Sequence, residues 1–204
     1  MDWNDRFTEL FKEAVERHQL NPRLGAERFF LPEECDFLES IGYRPEEMFG
    51  FVTDYATLGE PSPSLALMIA ATRRSFFLTT QRGISGNAVP VRDADLPKEH
   101  EEFQEIPYLP RIIRKAEAKL FGTLDTGLMY PCAKDRQFLR EHGNIHPDDF
   151  LHLVWHARGD RQKLVSAVLH AIQVEQEAAT KAAPEPHEES TPQHFPIQSQ
   201  LKLD

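Results

Sequence analysis

The 204-residue chain is 40% hydrophobic and 27% charged, an ordinary balance for a folded globular protein that excludes disorder throughout. Its formal charge of −10, from 23 basic against 33 acidic residues, argues against a nucleic-acid partner, because phosphate binding needs a basic face. Cys35 and Cys132 are too few for a disulfide framework or a four-thiolate zinc site, so a reducing compartment is the default.

The opening residues, Asp2 to Asp5 around Trp3, lack the basic start and apolar run of a signal peptide. The longest strongly apolar stretch, residues 65–71, falls far short of the roughly 20 residues that a membrane span needs. No membrane association and a cytoplasmic location are the expectations. A first helix is predicted from Phe7, Leu10, Phe11, Ala14 and Val15, which recur at i, i+3, i+4, i+7 and i+8, with Asn4 or Asp5 as its cap. A second begins near Pro32, with Glu33 and Glu34 suited to the positive end of the helix dipole, and stops at Gly42. A third starts at Pro45-Glu46-Glu47, and a fourth follows Gly59 through Leu65, Met68, Ile69 and Thr72. Residues 83–106 combine glycines, prolines and an acidic run without sustained periodicity and read as a linker.

The same series then recurs about a hundred positions later. Phe7, Leu10, Phe11 and Ala14 fall on Leu109, Ile112, Ile113 and Ala116, while Phe37, Leu38 and Gly42 fall on Phe138, Leu139 and Gly143. Pro45-Glu46-Glu47-Met48 falls on Pro147-Asp148-Asp149-Phe150, Val52 on Val154, and Gly59 on Gly159. Such self-similarity marks a duplicated helical unit. The expected fold is all-α: two tandem, diverged four-helix repeats related by pseudo-twofold symmetry, at residues 1–82 and 107–176. The segments at residues 23–30 and 123–130, between the first and second helices of each unit, would suit a strand pairing. Residues 177–204, rich in proline and acids, read as a disordered tail.

The second unit, residues 109–169, resembles an uncharacterised bacterial family, the domain of unknown function numbered 5069. The resemblance rests on Leu109-Pro110-Arg111, Lys115-Ala116 with Ala118, Gly122-Thr123-Leu124, Tyr130 and Cys132 with Asp135, Phe138-Leu139, and Gly159-Asp160. Ala133 departs from it, standing where the family pattern has proline, whereas the first unit keeps Pro32. The resemblance implies a fold boundary and brings no catalytic residues.

Arg111, Lys115, Cys132, Asp135 and Asp160 are the candidate binding residues, able to line a polar pocket if the fold brings their segments together. The competing reading of the charged residues is a structural ion-pair set in which Arg111 holds Asp135, and that reading is preferred. Asp148, His152 and His156 share one stripe of the second unit's third helix and form the alternative metal site, for zinc. Against it, no glutamate follows the first histidine as in a zinc-protease helix, and the stripe suits a solvated face. Cys132 at a helix start, with His142 or His146 as base, is the alternative nucleophile, although a small buried cysteine is the commoner case. Gly83-Ile84-Ser85-Gly86 lacks the Lys-Ser/Thr of a phosphate loop. Polar faces also changed sign between the copies, from Glu9 and Glu13 to Arg111 and Lys115, so complementary helices are able to face each other.

These features lead to the expectation of a non-catalytic binding or adaptor module without a cofactor, taking an unidentified protein or small molecule in a cleft between units. The alternative is a small metal-dependent or Cys/His enzyme using the second unit.

Overall fold

The computed structural model describes residues 2–85 and 89–182. Eight α-helices account for most of them, and strand is confined to one short hairpin. Helix α1 (Trp3–Leu20) is capped not by Asn4 or Asp5 but by Asp2, two residues before the first of them, whose carboxylate accepts the Trp3 N–H at 2.7 Å. Its predicted stripe is buried at Phe7, Leu10, Phe11 and Ala14. Helix α2 (Pro32–Ser40) and α3 (Pro45–Leu58) both begin on their proline, where the missing N–H costs nothing, and α4 (Pro63–Thr79) begins behind the Ser62 cap. The second unit repeats the order as α5 (Leu109–Phe121), α6 (Ala133–Glu141), α7 (Pro147–Ala157) and α8 (Arg161–Ala182). Ala133 opens α6 without the proline, behind Cys132 as N-cap.

The glycine between the second and third helices has the same physical role in both units. Gly42 (φ +73°) and Gly143 (φ +92°) adopt the left-handed conformation that follows a helix, and each lies against the fourth helix of its own unit. A Cβ at Gly42 would stand 2.4 Å from the Phe77 ring, and one at Gly143 would stand 2.7 Å from the Ala171 backbone. Either substitution therefore meets both backbone strain and a steric clash.

Within the units, α1 packs along α3 and α5 packs along α7. Across them the packing is unequal. Helix α4 lies against α1 of its own unit and against α5 and α7 of the other, whereas the main packing of α8 is on α7. One continuous apolar cluster results, running from Phe7 and Leu10 through Ile69 and Phe76 to Ile112, Phe150 and Val168. Phe138 belongs to it at 5% exposure, while its counterpart Phe37 is only partly buried against its edge.

Residues 89–106 of the segment expected as a linker are folded onto the second unit. Val91 and Leu96 are buried, and Val91 exchanges backbone hydrogen bonds with Thr123 and Asp125 at 2.7 and 3.0 Å. Strands β1 (Glu102–Phe103) and β2 (Ile106–Pro107) form an antiparallel hairpin. Its two turn residues, Gln104 and Glu105, both have positive φ, the condition for a twist-matched two-residue turn. Residues 123–130 thus meet Val91 and not residues 23–30, which instead contain a single 3₁₀ turn, Ala26–Arg28. Residues 177–182, expected as the start of a disordered tail, continue α8 to Ala182; the remainder of the expected tail, 183–204, lies outside the described residues. No helix among the described residues is long and apolar enough to cross a membrane.

Candidate functional site

Of the five candidate binding residues, the fold gathers three. Asp135, at the third position of α6, is fully buried and accepts from three donors: the Cys132 backbone N–H at 2.8 Å, the Tyr108 hydroxyl at 2.8 Å, and the Lys115 ammonium. Lys115 also donates to the Cys132 sulfur at 3.2 Å. The aspartate caps its helix and pins α5 to α6 in one group, and burial beside this carboxylate pushes the Tyr108 phenol far above its ordinary range. Lys115 makes the pair assigned above to Arg111. Arg111 instead holds the 83–106 segment, through Asp93 and the Pro97 carbonyl. Asp160 is remote from the group, exposed, and caps α8 by accepting the Lys163 N–H at 3.0 Å.

The expected complementary faces do not meet either. Glu9 and Glu13 pair with Arg6 on their own helix, at 3.1 and 3.5 Å.

The histidine stripe also divides. Asp148 and His152 bond to Thr72 across the unit boundary, at 2.6 and 3.0 Å from its hydroxyl. A hydroxyl carries one proton, so Thr72 donates to Asp148 and accepts from the His152 Nε2–H. His156 turns away, with Nδ1 at 2.7 Å from the His152 carbonyl. No group of three or more His, Cys, Asp or Glu side chains among the described residues could hold a metal ion. Neither His142 nor His146 accompanies Cys132 as a base: His142 Nδ1 bonds the Phe138 carbonyl, and His146 caps α7 by accepting the Asp148 N–H.

Open space lies elsewhere. A cleft of about 540 Å³ separates the α3–α4 turn of the first unit from the C-terminal half of α6 and the α6–α7 turn of the second. Its walls include Ser62, Leu65, Arg136, Arg140, Asn144 and His146. Two helices, α4 and α7, point their N-terminal caps, Ser62 and His146, at this cleft, so the positive ends of two helix dipoles border it. Arg136 is buried at the base, donating to the Pro131 carbonyl at 2.9 Å and to Glu60 at 3.1 Å. Glu60 is 57% exposed, whereas the Arg136 side chain is 5% exposed. The guanidinium is thus fixed, while its carboxylate partner lies largely in solvent. None of Tyr108, Lys115, Cys132 or Asp135 lines this cleft.

Sequence reasoning passed over Arg136 and Arg140 because nothing in their spacing separates them from surface arginines. Comparison with known protein families, with curated proteins and with solved structures found no match.

Proposed function

We propose that this protein is a non-catalytic binding module for a small anionic molecule, a carboxylate- or phosphate-bearing compound of metabolite size, held in the cleft between the two units. The observation that carries this reading is the Arg136–Glu60 pair. A buried, rigidly positioned guanidinium already holds one carboxylate in the cleft, and an exposed glutamate is a partner that an incoming anion can replace. Arg140 at the rim and the two helix N-termini add positive potential, and the volume suits a compact ligand. The Lys115–Asp135 group supports a binding module over an enzyme, because its carboxylate accepts from three donors and the group has no part in the cleft.

The test is a thermal-shift and calorimetric screen of di- and tricarboxylates, sugar phosphates and neutral analogues of similar size. Anionic members are expected to bind and neutral ones not. Arg140→Glu, a change on an exposed side chain, is expected to weaken binding at least tenfold while leaving the apo melting temperature within a degree or two. Equal binding of neutral analogues, or unchanged affinity in Arg140→Glu, would overturn the reading.

A further inference from the structure

A second cavity, of about 230 Å³, lies between the α2–α3 turn, α4 and the end of α5, and among its walls are Tyr43, Arg44, Arg73, Gly122 and the rim residue Glu39. Tyr43 and Arg73 are 0% and 2% exposed. Among the described residues the Tyr43 hydroxyl, the Arg73 Nε and the Arg44 Nε have no hydrogen-bond partner. Buried donors left in that state are rare in folded proteins, because each forfeits its hydration without replacement.

The charge is unbalanced as well. Arg44, Arg73 and Lys119 gather around one buried carboxylate, Glu47, which accepts from the Arg44 N–H and meets the Lys119 ammonium only at 3.4 Å each. The other contacts of Arg73 are neutral: the Gln81 amide oxygen at 2.7 Å and the face of Phe77. Those of Arg44 include the Leu124 carbonyl. Lys119 lies over the rings of Tyr43 and Phe51. Glu39 is exposed at the rim, where water screens it. Water entering the cavity would leave the excess positive charge uncompensated. The wall is shaped around the guanidinium, since a Cβ at Gly122 would stand 2.7 Å from an Arg73 terminal nitrogen.

We infer that this cavity is a binding site for a small oxyanion of phosphate or sulfate size, held by the guanidinium groups of Arg73 and Arg44. A volume of about 230 Å³ accommodates such an ion with companion water, each water occupying roughly 30 Å³. The site is separate from the Arg136 cleft, with which it shares no lining residue. An ion seated there touches both units, through the α2–α3 turn and α4 on one side and the α5 C-terminus on the other.

The experiment uses the full chain and inorganic phosphate, with chloride at equal ionic strength as control. Phosphate is expected to raise the melting temperature by roughly 5 °C or more at saturation, with one bound ion per chain by calorimetry. Arg44→Gln at the half-exposed wall removes one of the two guanidinium groups and is expected to weaken phosphate binding at least tenfold while the protein stays folded in chloride. Arg140→Glu is expected to retain the phosphate response, which separates this site from the cleft. No phosphate-specific shift, a response unchanged in Arg44→Gln, or one lost in Arg140→Glu would overturn the assignment. If Arg44→Gln does not fold, Arg44→Lys serves instead, with a weakened response expected and its absence equally fatal.

Discussion

The two units solve the same local problem with different chemistry. Each second helix carries an acid at its third position that accepts the N–H of the residue before the helix, Glu34 from Leu31 and Asp135 from Cys132, both at 2.8 Å. Each acid is also held by a cation from the unit's first helix, Arg17 in one case and Lys115 in the other. Those cations do not occupy equivalent positions. Arg17 aligns with Lys119, not with Lys115, and it keeps about a quarter of its side chain in solvent, at 26% exposure, while bridging Glu34 in a two-pronged pair. Lys119 crosses the boundary toward Glu47 of the first unit at 1% exposure. The apolar stripe and the capping acid occur in both units, whereas the positive charges are placed differently: the first unit uses its cation on itself, and the second uses one to close α5 on α6 and another to reach its neighbour.

This difference sets the largest expected effect. Asp135→Ala leaves the Lys115 ammonium, the Tyr108 hydroxyl and the Cys132 N–H buried without their acceptor, and breaking a buried pair in this way costs about 3–5 kcal/mol. Glu34→Ala frees Arg17 to turn into water and forfeits mainly a capped N–H, so about 1–2 kcal/mol is expected. Urea unfolding of the two variants measures the gap; equal losses would mean that Arg17 is as dependent on its partner as Lys115.

The apolar half of this architecture was legible in the sequence because its signals are periodic. The stripes of α1 and α5, the proline-acid starts of α3 and α7 and the glycine stops are local, and the repeat doubled each of them. The polar half was not, since it depends on which side chains meet across helices. Arg111 and Lys115 are one turn apart on the same helix, and only the packed geometry shows that the second reaches Asp135 while the first turns to Asp93. One signal was available for Lys119: it lies seven residues after Ile112 and three after Ala116, on the apolar side of α5, where an unpaired lysine is rare. The segment at 83–106 escaped because its order comes from backbone pairing with Thr123 and Asp125 and from single buried residues, Val91 and Leu96, too few to create a period.

Lys119 and its positional counterpart Arg17 should also differ in their response to pH. Burial pushes the Lys119 ammonium down to about 8, with Glu47 opposing, while the Glu34 hydrogen bond pushes Arg17 up and out of the accessible range. A lysine in the unfolded chain titrates near ~10.4, so between about pH 8 and 10 the unfolded state binds more protons than the folded one and stability rises with pH. The full difference corresponds to about 3 kcal/mol. Above about pH 10 the sign reverses, because burial pushes the Tyr43 and Tyr130 phenols well above their ordinary value and only the unfolded tyrosines ionise. Lys119→Met is expected to abolish the rise between pH 8 and 10, and Arg17→Met to leave it intact. A wild-type profile flat across that window would show that the ammonium is better compensated than its surroundings imply.

The smallest effect expected concerns the polar faces of the two first helices. Glu9 is 47% exposed and pairs with Arg6 one turn away, a contact worth about 0–1 kcal/mol, so Glu9→Arg should be close to neutral. Arg111 occupies the matching position but is 12% exposed, and it ties Asp93 and the Pro97 carbonyl to α5. Arg111→Glu removes both contacts and sets a carboxylate against Asp93, which is itself 72% exposed and therefore screened. About 1 kcal/mol of destabilisation is expected, and part of it should return in high salt as the new repulsion is screened. Hydrogen exchange supplies the decisive readout: the Val91 N–H, bonded to the Thr123 carbonyl at 2.7 Å, should exchange faster in Arg111→Glu if Arg111 holds the 83–106 segment in place. Unchanged protection there, with neutral stability, would mean that buried Val91 and Leu96 anchor the segment unaided and that this arginine is as dispensable as Glu9.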